Sequence, residues 1–116
     1  MEQLYRIVPE PEWLAAQSEG VYRGSAHDAR DGFIHLSAAH QVKGTLAAHY
    51  AGRTDLVLLT IDAGALASAE SGKLVWEPSR DGEQFPHFYG VLPLTSVQAS
   101  VPLVLDAKGE HVVPAS

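Results

Sequence analysis

The sequence predicts a small α+β protein folded as a single domain, 1–116. Helical periodicity occupies two stretches of the first half, the second half is rich in short strands, and residues 56–61 form a continuous apolar run bounded by Asp55 and Asp62. That run is too short for a typical helix and reads as a strand buried on both faces, the centre of the sheet. With 116 residues, 46% of them hydrophobic, the chain can build one core without staples.

Residues 4–8 read as the first strand, with Tyr5 and Ile7 on one face and Leu4, Arg6 and Val8 on the other. Arg6 interrupts an apolar face and is expected at an edge or reaching to solvent. Pro9 and Pro11 end this strand. Pro11 suits the first turn of a helix over 12–18, where Trp13, Leu14 and Gln17 share a face and Gly20 supplies the stop. Residues 20–31 carry few apolar positions and read as a loop. The segment 31–37, Asp-Gly-Phe-Ile-His-Leu-Ser, is the chemical centre of the chain: in a strand, Ile34 and Leu36 face the core while Phe33, His35 and Ser37 face the other way. Ser37 then caps a helix over 38–50 whose stripe is Ala39, Val42, Leu46 and Tyr50. His40 and His49 fall on opposite sides of that helix and read as surface or boundary residues.

Beyond 56–61 comes a turn-rich connection with one helical turn near Ala65, and a short strand over 74–77 in which Trp76 is expected to be buried. Residues 79–84 are a polar loop. Residues 85–90 gather Phe85, Phe88 and Tyr89 around His87, a dense cluster for a chain with 8% aromatics. The last long strand covers 97–105, and Pro102 suggests an edge or a bulge. A turn at 106–109 and a short strand at 112–113 close the chain.

Composition excludes several functions. There is no cysteine, so disulfides, thiol catalysis and thiolate metal sites are out. Eight Lys+Arg against 14 Asp+Glu give a net charge of −6, a field that repels nucleic acid. No apolar run approaches the ~20 residues of a membrane span, and the N-terminal residues lack the pattern of a signal peptide. The expectation is a cytoplasmic protein with a small-molecule ligand, no nucleic-acid partner and no membrane partner; oligomeric state is left open.

Leu4-Tyr5-Arg6-Ile7, the Phe33-Ile34-His35-Leu36-Ser37 segment, the strand from Asp55 to Asp62, Trp76-Glu77 and Phe85-Pro86-His87-Phe88-Tyr89-Gly90 together resemble the bacterial domain-of-unknown-function family numbered 952, over nearly the whole chain. That family is similar to the ADP-ribosyltransferase fold. The resemblance implies a split, mixed or antiparallel sheet with two helices, and NAD as a substrate held in the cleft. It carries site roles onto Arg6, His35 and Glu77, with His87 as a further candidate for the third.

Such a set suits cleavage of the nicotinamide–ribose bond: a carboxylate such as Glu77 would stabilise positive charge on the ribose, while Arg6 and His35 position the ligand. Arg53 and Arg80 are candidates for phosphate, and Phe85 and Tyr89 for stacking on a base. A rival chemistry is a two-histidine, one-carboxylate metal site from His35, His87 and Glu77. No local spacing such as HExxH marks one, so no metal ligand is assigned. Serine nucleophilic catalysis is weaker still, since Ser37 lies about 7 Å along the strand from His35. A third reading keeps the cleft for binding or sensing a small ligand without turnover.

Overall fold

The alternation in β1 (Gln3–Pro9) sets the first sheet. In the computed structural model, which describes residues 2–114, Leu4 and Val8 enter one buried cluster and Tyr5 and Ile7 another, so the strand is apolar on both faces. It pairs antiparallel with β4 (Leu56–Asp62), and β4 pairs in turn with β8 (Val97–Pro102). The run expected at the centre of the sheet is therefore its middle strand. Pro102 ends the outer strand, where a missing N–H costs no ladder bond; the register shift lies at Thr60/Ile61 instead.

A second three-stranded antiparallel sheet is made by β3 (Ile34–His35), β5 (Gly72–Pro78) and β6 (Gln84–Gly90), with β6 in the middle. Residues 85–90, the expected aromatic cluster, are thus a central strand. Among the described residues, one backbone bridge joins the two sheets, where Tyr5 and Ser37 exchange hydrogen bonds of 2.8 Å each. Pro86 explains the break. Leu36 donates its N–H to the Pro86 carbonyl at 3.0 Å, but Pro86 has no N–H to return, so the β3 ladder stops and the chain crosses to β1.

Helix α1 (Glu10–Glu19) is longer than expected, and Gly20, at φ 87°, ends it by donating to Ala16. Trp13 and Ala16 are its buried residues. Leu14, 57% exposed, and Gln17 face solvent, which corrects the expected stripe. The stretch read as a loop contains β2 (Val21–Tyr22) and α2 (Ala26–Asp31); β2 pairs with β7 (Leu92–Pro93). Ser37 is not a helix cap. It is spent on the bridge to Tyr5, and a 3-10 turn (Ala39–Gln41), held by the Gln41 side chain accepting from the Ala38 N–H, leads into α3 (Val42–His49). Of the expected stripe, Val42 and Leu46 pack on Tyr5 and Ile7 while Ala39 is exposed. Helix α4 (Ala63–Ala67) starts at Asp62, whose carboxylate accepts from the N–H groups of Gly64 and Ala65. The chain closes on a hairpin of β9 (Val104–Leu105) and β10 (His111–Val112).

Trp13 is buried, as expected, but Trp76 is 37% exposed. Its face is the apolar one, shared with Leu74, yet β5 is an outer strand and the indole hangs at the sheet margin. No helix among the described residues is long and apolar enough to cross a membrane.

Candidate functional site

The site is built at the split between the sheets. Arg6 follows the bridging Tyr5 and turns into the layer occupied by α2. That helix forms because Ser25 and Asp28 make a reciprocal cap: the Asp28 N–H donates to Ser25 Oγ at 3.2 Å, and the Ser25 N–H donates to Asp28 Oδ2 at 2.7 Å. Gly24 is required here, since a Cβ on it would lie 2.9 Å from that of Asp28, and its φ is 98°. Gly32, also left-handed, then turns the chain directly into β3.

Asp28 is the buried hub. Arg6 Nη1 donates to its Oδ1 at 3.0 Å and Nη2 lies 2.8 Å from its Oδ2. The backbone N–H and the Nδ1 of His35 reach Oδ1 at 3.1 and 2.6 Å. Burial alone would raise the Asp28 pKa, but the His35 hydrogen bond and the Arg6 charge outweigh it and hold the carboxyl well below the usual range. Arg6 also donates to the His35 carbonyl at 2.9 Å and to Tyr22 Oη at 2.8 Å, and it is only 5% exposed. The sequence expectation of an edge or solvent-reaching arginine is therefore overturned. Its terminal nitrogens are committed to the protein and only Nε lacks a partner, so Arg6 positions Asp28 and His35.

His35 pairs across the ladder with His87, ring centroids 5.6 Å apart. The pair lies between two hydrogen-bonded levels, the narrow kind of antiparallel pair. His87 stacks on Phe33 at 4.0 Å, and its Nδ1 lies 2.8 Å from Glu77 Oε1, which also accepts from Tyr89 Oη at 2.7 Å. Those bonds, that of Tyr89 first, hold the Glu77 carboxyl below its ordinary pKa. An ionised carboxylate only accepts, so Nδ1 carries the proton. Nε2, on the edge of the ring away from Glu77, is buried without a partner.

Arg6, Asp28, His35 and His87 line a cavity of about 270 Å³. Arg6 and Ile7 of β1 and His35 of β3 form one wall, Thr45, His49 and Tyr50 another, and Phe85, His87, Ser79 and Arg80 close it. Four of the six histidines line it. Arg80 leaves a tight turn containing Asp81 at φ 58°, lies 4.9 Å over the Phe85 ring and donates to Thr45 Oγ1 at 3.4 Å. It rests on Gly44 of α3, where a Cβ would come within 2.9 Å of Nη2. Among the described residues Arg80 makes no ion pair, which leaves a cation over the cavity. Burial, then the charges of His27 and Arg80, lower the pKa of His49, which is exposed, as expected of a surface or boundary residue, and also lines the cavity.

Of the expected site residues, Arg6, His35, His87, Arg80 and Phe85 come together. Arg53 does not: it pairs with Asp55 at 2.9 Å on the surface. Glu77 and Tyr89 stand behind His87 and do not line the cavity, so neither touches a ligand there. The rival metal set fails for the same reason, because Glu77 is bonded to His87 outside the cavity. The residues sequence reasoning missed are Asp28, His27, Asp31, His49 and Thr45. The spacing Ser25-x-x-Asp28 before Gly32 was the available signal for α2.

The family model described as "Protein of unknown function (DUF952)" matches residues 7–100, and the chain belongs to that family. The crystal structure of protein CC0527 from Caulobacter crescentus is similar, with 42% identity and a TM-score of 0.86 over 95% of this chain and 93% of that one. The solution NMR structure of the same protein gives 43% identity and a TM-score of 0.81, over 95% and 91%. No match is found among curated proteins.

Proposed function

We propose that the cavity binds the ribosyl end of an ADP-ribose-containing nucleotide such as NAD, and that His87 acts there as a general base. The observation that carries this reading is His87, which lines the cavity with its Nδ1 bonded to Glu77 and its Nε2 without a partner in the protein. Two antiparallel sheets that meet, among the described residues, at one backbone bridge agree with the split sheet of the ADP-ribosyltransferase-like fold. The volume of about 270 Å³ is at the small end for ligand sites, so one ring or a sugar phosphate fits and the remainder of a dinucleotide lies outside. Arg80 supplies a cation for phosphate in a protein that is negative overall.

In the transfer this supports, the ribose–nicotinamide bond breaks with its electron pair going to the pyridine nitrogen. A hydroxyl or water oxygen bonds to the ribose carbon, and its proton passes to His87 Nε2, with Glu77 stabilising the imidazolium. Glu77 is a positioning residue in this scheme. One observation favours binding without turnover: Asp28, Asp31 and Glu77 are all bonded to histidines, and none is free to face a cationic ribose.

Thermal scans and chromatography of nucleotide mixtures separate these outcomes. NAD or ADP-ribose should raise the melting temperature of the parent protein, and His87→Ala and Arg80→Ala should lose the shift. Release of nicotinamide shows turnover; a shift with the nucleotide unchanged shows a binder. If neither nucleotide shifts the transition, the ligand assignment falls.

A further inference from the structure

The rim of the cavity carries a second set of donor atoms. His27 and Asp31 are four residues apart on α2 and share a face. The left-handed Gly32 turns the chain back into β3, which returns His35 over that same face. Nε2 of His27 lies 3.2 Å, and Nε2 of His35 2.9 Å, from one oxygen, Oδ2 of Asp31. The donor atoms of all three residues fall within 4.8 Å of one another. An ion with bonds of about 2.0–2.1 Å sets two adjacent ligands roughly 2.9–3.3 Å apart, so both measured edges already have the length of a coordination edge.

We propose that His27, Asp31 and His35 form a binding site for a first-row divalent transition ion, with Zn²⁺ as the reference case. The strongest support lies behind His35. Its Nδ1 is bound at 2.6 Å to Asp28, a buried carboxylate that Arg6 holds in place. A metal-binding histidine is oriented by such a partner: the Nδ1 proton is fixed and Nε2 is presented to the ion. Two imidazoles and one carboxylate suit Zn²⁺, Co²⁺ or Ni²⁺, whereas Mg²⁺ and Ca²⁺ take oxygen ligands. His35 also lines the cavity, so the open coordination positions adjoin the space where a ligand's oxygen atoms would lie.

A proton and an ion compete for the same ligand lone pairs. Binding therefore releases protons and weakens as pH falls. The charged and titratable groups around the site are Arg30 of α2, which contacts His27 Nδ1 at 3.2 Å and Asp31 at 3.5 Å, His49 of α3, His87 of β6, and Arg6 behind Asp28. Arg30 opposes the ion, but its side chain is 70% exposed and is free to swing outward.

The nucleotide reading rests on His87 and Arg80, which are not ligands here; His27 and His35 line the cavity as well as this site, and His27 and Asp31, to which that reading gives no role, are the positions to test. Zn²⁺ is titrated into the full chain by calorimetry without nucleotide, and Co²⁺ is followed by its visible absorption. One ion per chain is expected, with proton release. His27→Ala and Asp31→Asn should each weaken binding by about tenfold or more, as loss of a ligand must exceed the roughly 10–100-fold range seen for outer partners at its lower end. His40→Ala, which removes an exposed histidine paired with Glu83, should bind like the parent. Circular dichroism establishes that the variants are folded. No heat and no Co²⁺ spectrum at about millimolar metal would overturn the proposal, as would equal affinity in His27→Ala and the parent. Metal binding with no nucleotide effect would strike only the function proposed above, and nucleotide binding with no metal only this site.

Discussion

Arg6 and Asp28 meet as a two-pronged pair, Nη1 to Oδ1 at 3.0 Å and Nη2 to Oδ2 at 2.8 Å, with side chains 5% and 3% exposed. A buried pair recovers its desolvation cost only when the remaining donors and acceptors are satisfied. Here Tyr22, the His35 carbonyl and the Ser25 N–H satisfy the pair except for the Arg6 Nε. The pair ties α2 to β1 and aims His35, so it links the stability of the fold to the geometry of the site.

Removing one partner should therefore be costly. Asp28→Ala is expected to destabilise by about 3–5 kcal/mol, because the Arg6 charge is then buried alone. The double variant Arg6→Met with Asp28→Leu should lose less than the sum of its single changes. Urea unfolding of the parent, Asp28→Ala, Arg6→Met, Asp28→Leu and the double variant measures this, and a loss under about 1 kcal/mol for Asp28→Ala would show that the pair does not hold α2 in place.

The depressed pKa of Asp28 has a sign in pH. Its folded value lies below its unfolded one, so the stabilisation is complete above the ordinary aspartate range and is lost as pH falls through the folded value. Urea midpoints from about pH 6 down to about pH 2 should fall steeply in the parent and less steeply in Asp28→Asn, starting from a lower level. Parallel curves would contradict this. Asp31, Asp55, Glu77 and Glu83 are also depressed but more exposed, and add little to the slope.

Gly44 separates stability from recognition. Alanine favours a helix interior by roughly 0.5–1 kcal/mol over glycine, so Gly44→Ala should leave stability unchanged or raise it. Its Cβ would press on Arg80 Nη2 at 2.9 Å, and the flexible guanidinium would move off the cavity. Affinity for a phosphate-bearing ligand should then drop while the urea midpoint does not. A Gly44→Ala protein that binds such a ligand like the parent would remove Arg80 from the site.

Much of this was legible in the sequence where a period of two meets an obvious core. Ile34 and Leu36 inward with His35 outward, the double-sided strand at 56–61, and the convergence of His35 with His87 all follow from alternation plus pairing. Arg6 was placed on the right face, but its partner lay in residues 20–31, whose few apolar positions hide a helix made by capping rather than by amphipathicity. Alternation assigns a face and says nothing about coverage. Trp76 therefore sits on the apolar side of β5 and remains partly exposed, because the edge of a sheet is set by tertiary topology. Glu77 was placed on the correct strand, but it stands behind His87 instead of on the cavity, a position that depends on the His87 side chain between them.

The last prediction concerns that intervening side chain. Glu77 Oε1 accepts from His87 Nδ1 and from Tyr89 Oη, and neither bond survives unchanged if the carboxylate becomes an amide. In the parent, long-range nitrogen–proton NMR of the imidazole should show His87 as the Nδ1–H tautomer, with an acceptor-type resonance for the buried Nε2. Glu77→Gln can present its NH₂ group to Nδ1, which would move the proton to Nε2 and reverse the roles of the two nitrogens. The backbone should not change, since Glu77 is half-buried on an outer strand and its ladder partner Phe85 is unaffected. If His87 acts as the base, transfer activity on a nucleotide should fall in Glu77→Gln with little change in nucleotide affinity, and the tautomer change should accompany it. A parent spectrum showing the proton on Nε2 would sink the assignment directly, because a donor at that position cannot accept the proton of an attacking hydroxyl.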